Sequence, residues 1–206
     1  VMYHVGSKNE LPKRTGFAHL FEHMMFQGSE HVADEEHFRL LQEIGANING
    51  FTTEDGTTYY EVVPSNQLEL GLYLESDRMG YLLDTVDEKA FANQQDVVRN
   101  ERRQSVENRP YGLADEALVQ ALYPKGHPYY GNIIGSHEDI QAAKLEDVKQ
   151  FFRQYYAPNN ASLAIVGDID PAQAKALVEK YFATLKRGPA VARPSASTPK
   201  ITAERR

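Results

Sequence analysis

Residues 19–23, His-Leu-Phe-Glu-His, lie inside an apolar stretch that leaves them few ways to fold. Phe17, Ala18, Leu20, Phe21, Met24, Met25 and Phe26 make a helix here apolar almost all round, and such a helix is buried. Thr15-Gly16 can open it and Gln27-Gly28-Ser29 can close it. At about 100° per residue, Glu22 falls about 60° to one side of His19 and His23 about 40° to the other. The three polar groups therefore share one face, with the imidazoles one turn apart, roughly 6 Å along the axis. A buried stripe of this kind is costly unless each member is satisfied.

A metal ion satisfies them together. Histidines at i and i+4 can both reach one Zn²⁺, at about 2.0–2.1 Å each. Glu22, beside the second imidazole, is placed to take a proton from a metal-bound water. The order H-x-x-E-H inverts H-E-x-x-H and is the inverzincin signature. The competing reading is two core histidines with a salt-bridged glutamate. A catalytic zinc usually takes three protein ligands. His4, His31, His37, His127 and His137 read as surface or packing histidines, with His31 and His37 in polar sequence expected to be exposed. Glu101 is a further candidate, on a helix whose face carries Val98 one turn back and Gln94 two turns back. Arg102 or Arg103 would serve as its partner if it were only structural.

Composition narrows the class. A hydrophobic fraction of 41% and a charged fraction of 25% are those of a globular protein. A net charge of −7 argues against a nucleic-acid or anionic-membrane partner. No apolar run approaches the roughly 20 residues of a membrane span. With no cysteine there are no disulfides or thiolate ligands, and the compartment stays open.

Residues 1–6 read as a strand entered partway along. The pattern predicts a helix over about 34–44, ended by Gly45. A hairpin follows around Asp55-Gly56, with strands near 47–53 and 57–63. Ser65 is expected to cap a long helix to about Leu83, and Asp87 the next, to about Asn108. Further helices are expected over 111–123, 145–156 and, behind Asp170-Pro171, to about Leu185. Residues 161–167 read as a buried strand. Helices and strands come in runs, so the class is α+β: a mostly antiparallel mixed sheet with helices packed on one face. Residues 1–185 form the expected domain. Residues 186–206, polar with four prolines, read as a linker or tail toward a second domain.

Several stretches together resemble the N-terminal catalytic domain of M16 (pitrilysin- and insulinase-like) zinc peptidases of bacterial type. They are Gly16-Phe-Ala-His-Leu-Phe-Glu-His-Met-Met-Phe26, Asn49-Gly-Phe-Thr52 with Asp55 and Tyr59, Asp96-Val-Val-Arg-Asn-Glu-Arg-Arg103, Asn108-Arg-Pro-Tyr-Gly112 and Asn159-Asn-Ala-Ser-Leu-Ala-Ile-Val-Gly-Asp168. The resemblance implies a zinc metalloendopeptidase with His19, His23 and Glu101 as ligands and Glu22 as general base. Asn49, Gly50, Phe51 and Thr52 would form the sheet edge that pairs with an extended peptide substrate. It implies a homologous second half, in the same chain or a partner subunit, that supplies an Arg/Tyr pair. The bacterial periplasm is favoured over the cytoplasm. One departure is Gln94, where many members carry a second glutamate beside the site; Gln can orient a neighbour but carries no charge.

Three alternatives stand beside this reading. The first is a non-catalytic scaffold subunit, or a zinc-binding half that turns over nothing without its partner. The second is an S-ribosylhomocysteine lyase, which shares the H-x-x-E-H order but needs a cysteine that this sequence lacks. The third is a binding module whose polar stripe is structural.

Overall fold

A computed structural model describes residues 1–204. Eight α-helices and a four-stranded sheet make up the described residues. The strands are β1 (Met2–Tyr3), β2 (Asn47–Thr52), β3 (Thr57–Val62) and β4 (Ala161–Ser162), in the order β2-β3-β1-β4. Each pairing among the described residues is antiparallel, so the α+β expectation holds. The sheet alternates faces. Tyr3, Thr57 and Tyr59 are buried on the inner side, while Met2, Phe51, Tyr60 and Val62 are exposed on the outer side.

Helix α1 (Phe17–Met24) lies across the inner face. Phe17, Leu20, Phe21 and Met24 share one core with Tyr3, Tyr59, Val98, Ile140, Val148, Phe152 and Tyr156. These come from the sheet and from α4 (Glu88–Arg102), α6 (His137–Ala142) and α7 (Leu145–Tyr155). A smaller cluster of Val32, Leu41 and Leu74 joins α2 (Glu36–Glu43) to α3 (Leu68–Tyr81). Helix α5 (Gly112–Leu122) buries no residue, and α8 (Pro171–Phe182) packs on α3. No helix among the described residues is long and apolar enough to cross a membrane.

The expected caps at Asp87 and Asp170 form: each carboxylate accepts a backbone N–H three residues on, at 2.8 Å. Two expectations are corrected, and a third, the helix running to about Asn108, holds in extent with a change of pitch in its last turn. Ser65 caps nothing; Ser65–Gln67 is a short 3₁₀ turn, and the helix starts at Leu68. Helix α4 ends at Arg102 and continues as a wider π turn over Arg103–Glu107, closed by Asn108 N–H donating to the Arg103 carbonyl at 2.8 Å. Residues 163–166 are not a buried strand, for Leu163 is 37% and Val166 95% exposed. Among the described residues the only strand beside β4 is β1, and their pairing stops at Met2–Ser162, so the apolar run beyond has no ladder to join.

Candidate metal centre

Two helices and one strand edge build the site. Helix α1 turns His19, Glu22 and His23 out on one face, as the 3.6-residue period requires. Helix α4 packs beside it and brings Glu101 to both imidazoles. The Glu101 carboxylate lies 3.6 Å from His19 Nε2 and 3.3 Å from His23 Nε2. Ligand atoms of all three residues fall within 4.8 Å of one another, and the two rings meet edge to face with centroids 4.8 Å apart.

This donor set suits a divalent cation. Tetrahedral zinc with bonds of about 2.0–2.2 Å places neighbouring ligand atoms about 3.3–3.6 Å apart, the spacing of the Glu101 carboxylate from each imidazole. Burial, reinforced by the His23 charge, pushes the His19 imidazole down to about 4, so it stands neutral, the form that binds metal. The hydrogen bond with His23 holds the Glu101 carboxyl below its ordinary range. The His19 nitrogen and the Glu101 carboxylate oxygen are thus in their ligating states near neutral pH.

Glu22 is buried at 9% exposure, and burial raises its pKa. Thr52 Oγ1 donates a 2.6 Å hydrogen bond to its Oε2, which opposes that rise. Thr52 and Gly50 face Glu22 from β2, which is one edge strand of the sheet. A Cβ at Gly50 would stand 3.3 Å from Glu22 Cγ and 3.1 Å from the Tyr59 ring. Asn49 and Phe51 alternate to the opposite face, with Phe51 49% exposed. Gln94 is buried on α4 two turns ahead of Glu101, and no hydrogen bond joins it to Glu22 or to the three ligand residues.

Arg102 and Arg103 do not partner Glu101. Arg102 donates to Gly135, Glu107 and Glu116, and Arg103 to Asn100. The remaining histidines are occupied elsewhere. His4 meets Ser162, His31 meets Asp77, His137 meets Glu107, and His127 accepts from the Tyr129 N–H. His37 is not exposed: it is buried against Glu61 at 3.0 Å, because α2 packs its apolar side onto the sheet. Sequence reasoning missed the bond from Thr52 to Glu22 and the cap that Glu10 gives α1. Both span irregular sequence that carries no periodic signal.

A helix bearing H-x-x-E-H beside a distant glutamate, laid against an antiparallel sheet with a free edge, defines the M16 class of peptidases. The chain belongs to that family. The family model described as "Insulinase (Peptidase family M16)" matches residues 1–131, and that described as "Peptidase M16 inactive domain" matches residues 142–206. Zinc protease PqqE of Helicobacter pylori is 33% identical over 186 residues, covering 90% of this chain and 41% of its own length. A mitochondrial-processing peptidase subunit beta of Caenorhabditis elegans is 28% identical over 188 residues, covering 91% of this chain and 40% of its own. The crystal structure of a protease from Helicobacter pylori superimposes with a TM-score of 0.89 at 32% identity, over 96% of this chain and 47% of that one. This chain therefore spans under half the length of these relatives.

Proposed function

We propose that this chain is the metal-binding half of a zinc metalloendopeptidase that hydrolyses peptides or unfolded segments. The convergence of His19 Nε2, His23 Nε2 and the Glu101 carboxylate beside the buried Glu22 carries this reading. These three residues would hold Zn²⁺. When bound, the metal supplies a water acidified to a pKa of about 7 and a Lewis acid for the scissile carbonyl.

The chain's own groups do the rest. Glu22, desolvated and held by Thr52, accepts the water proton and returns it to the leaving amine. The free edge of β2 offers backbone N–H and C=O groups to an extended substrate, which gives affinity without fixing sequence. Gly50 leaves room for the strand backbone to pass close to Glu22. Asn49 and Phe51, on the other face, contribute through their backbone.

Residues 1–185 would form the catalytic domain and 186–206 the passage to the rest of the protein. Because the chain spans under half of its relatives, a second reading has support: it binds zinc but turns over substrate only when its homologous second half closes on it.

The test is Glu22→Gln in the whole protein. Zinc content should stay at about one per chain, and kcat should fall by roughly 10²–10⁴, the usual contribution of a positioned proton-transfer group. Unchanged turnover would remove Glu22 from the chemistry. A protein with no zinc would remove the metal reading altogether.

A further inference from the structure

Because Glu101 stands on α4 and both histidines on α1, the separation of the ligand atoms is set by how these helices dock. Arg102 follows Glu101 directly, is 8% exposed, and turns away from the ligands. Its Nη1 donates to the Gly135 carbonyl at 2.8 Å, its Nη2 to Glu116 Oε2 at 3.1 Å and its Nε to Glu107 Oε1 at 3.2 Å. The acceptors come from the loop ahead of α6, from α5 and from the π turn, and the two carboxylates compensate a guanidinium taken out of water.

The loop at Gly135 is itself pressed against the start of α1. A Cβ on Gly16 would lie 2.6 Å from the Ile134 carbonyl oxygen and 2.9 Å from Gly135 Cα. Ser136 N–H donates to Thr15 Oγ1 at 3.1 Å, and Thr15 N–H and Oγ1 donate to Asp139 at 3.0 and 2.7 Å. Asn132 stiffens the loop: its amide donates to Glu116 and its oxygen accepts Gly135 N–H, both at 2.7 Å. One connected path thus runs from Glu101 through Arg102, Gly135 and Gly16 to His19.

We propose that Arg102 is a positioning residue for the metal site, holding α4 to the 132–139 loop and through it to the first turn of α1. It keeps Glu101 at ligand distance from His19 and His23. The inference rests on the three-ligand reading of the site. A planar fork with donors on three nitrogens suits three acceptors from three directions, and a lysine ammonium on one flexible stem does not replace it.

The experiment is a double-mutant cycle on zinc affinity, read by competition with a chelator. Arg102→Lys should weaken zinc binding roughly 10- to 100-fold, as loss of an outer partner of a metal ligand does. In a Glu101→Ala background the same change should cost nothing further, because the group that Arg102 positions is gone. A purely structural arginine would lower affinity equally in both backgrounds, and that result overturns the proposal. So does an unchanged affinity in Arg102→Lys. Glu116→Gln keeps Arg102 and weakens one anchor; it gives a second cycle, with the same expectation, if the arginine variant does not fold. If Glu101→Ala itself binds zinc as the parent does, the three-ligand reading fails, and the inference with it.

Discussion

Glu22 depends on two small residues of β2. Its carboxylate accepts the Thr52 hydroxyl at 2.6 Å, and its stem passes close to Gly50, which has no side chain to displace it. Hydrogen bonds to charged groups contribute about 1.5–3 kcal/mol. Thr52→Val keeps the shape and removes the donor, so kcat should fall roughly tenfold or more while zinc content stays at that of the parent. Steady-state kinetics with metal analysis on the same sample decides this. A fall in zinc would instead make Thr52 a support of the ligands. The sequence placed Thr52 on the strand proposed to pair with substrate but not against Glu22, because strand register relative to a helix is not a local property.

At the scale of elements, the first turn of α1 carries the positional information of the site. Its N-cap, Gly16, has no side chain and sits at φ +86°. The cap comes from Glu10 instead, whose carboxylate accepts Gly16 N–H at 2.9 Å and Ala18 N–H at 2.8 Å. Burial pushes that carboxyl up to about 8. Gly16→Ala would combine a left-handed backbone with a clash against Ile134 and Gly135. It should cost more than about 1 kcal/mol. At roughly 2–4 °C per kcal/mol for a chain of this size, Tm should drop by several degrees. Thermal unfolding followed by circular dichroism checks it, and an unshifted Tm would refute the close approach. The caps at Asp87 and Asp170 were legible because each is a contact across three residues. The Glu10 cap reaches across a loop, and the fate of 163–166 was set by how far its pairing with β1 extends. Neither leaves a periodic trace. The H-x-x-E-H face was legible because helical geometry alone converts its spacing into a shared surface.

Over the whole molecule, buried charge makes stability depend on pH. Beneath the inner face of the sheet, Arg78 lies 4.4 Å from the Tyr59 ring centroid and pairs with Glu75, while His37 meets Glu61 at 3.0 Å. Burial, with Arg78 adding to it, pushes His37 from 6.5 down to about 3. The unfolded chain therefore takes up a proton that the folded one refuses, and stability present above pH 6.5 is lost as pH falls toward 3. Burial pushes Glu61 the other way, from 4.5 up to about 7, so its contribution is present below pH 4.5 and lost as pH rises toward 7. The two slopes oppose each other between pH 4.5 and 6.5, and below 4.5 only that of His37 remains. His37→Gln should unmask the Glu61 slope, so that the unfolding midpoint, nearly flat in the parent between pH 4.5 and 6.5, falls there as pH rises, and its decline below 4.5 becomes shallower, each by up to about one proton in slope. Denaturant titrations from pH 3 to 7 on parent and variant measure this directly. His19, pushed down to about 4, adds to the acid slope of the metal-free protein in both, so the difference between them isolates His37. An identical decline in the two proteins would place the acid sensitivity elsewhere and leave the His37–Glu61 pair without influence on stability.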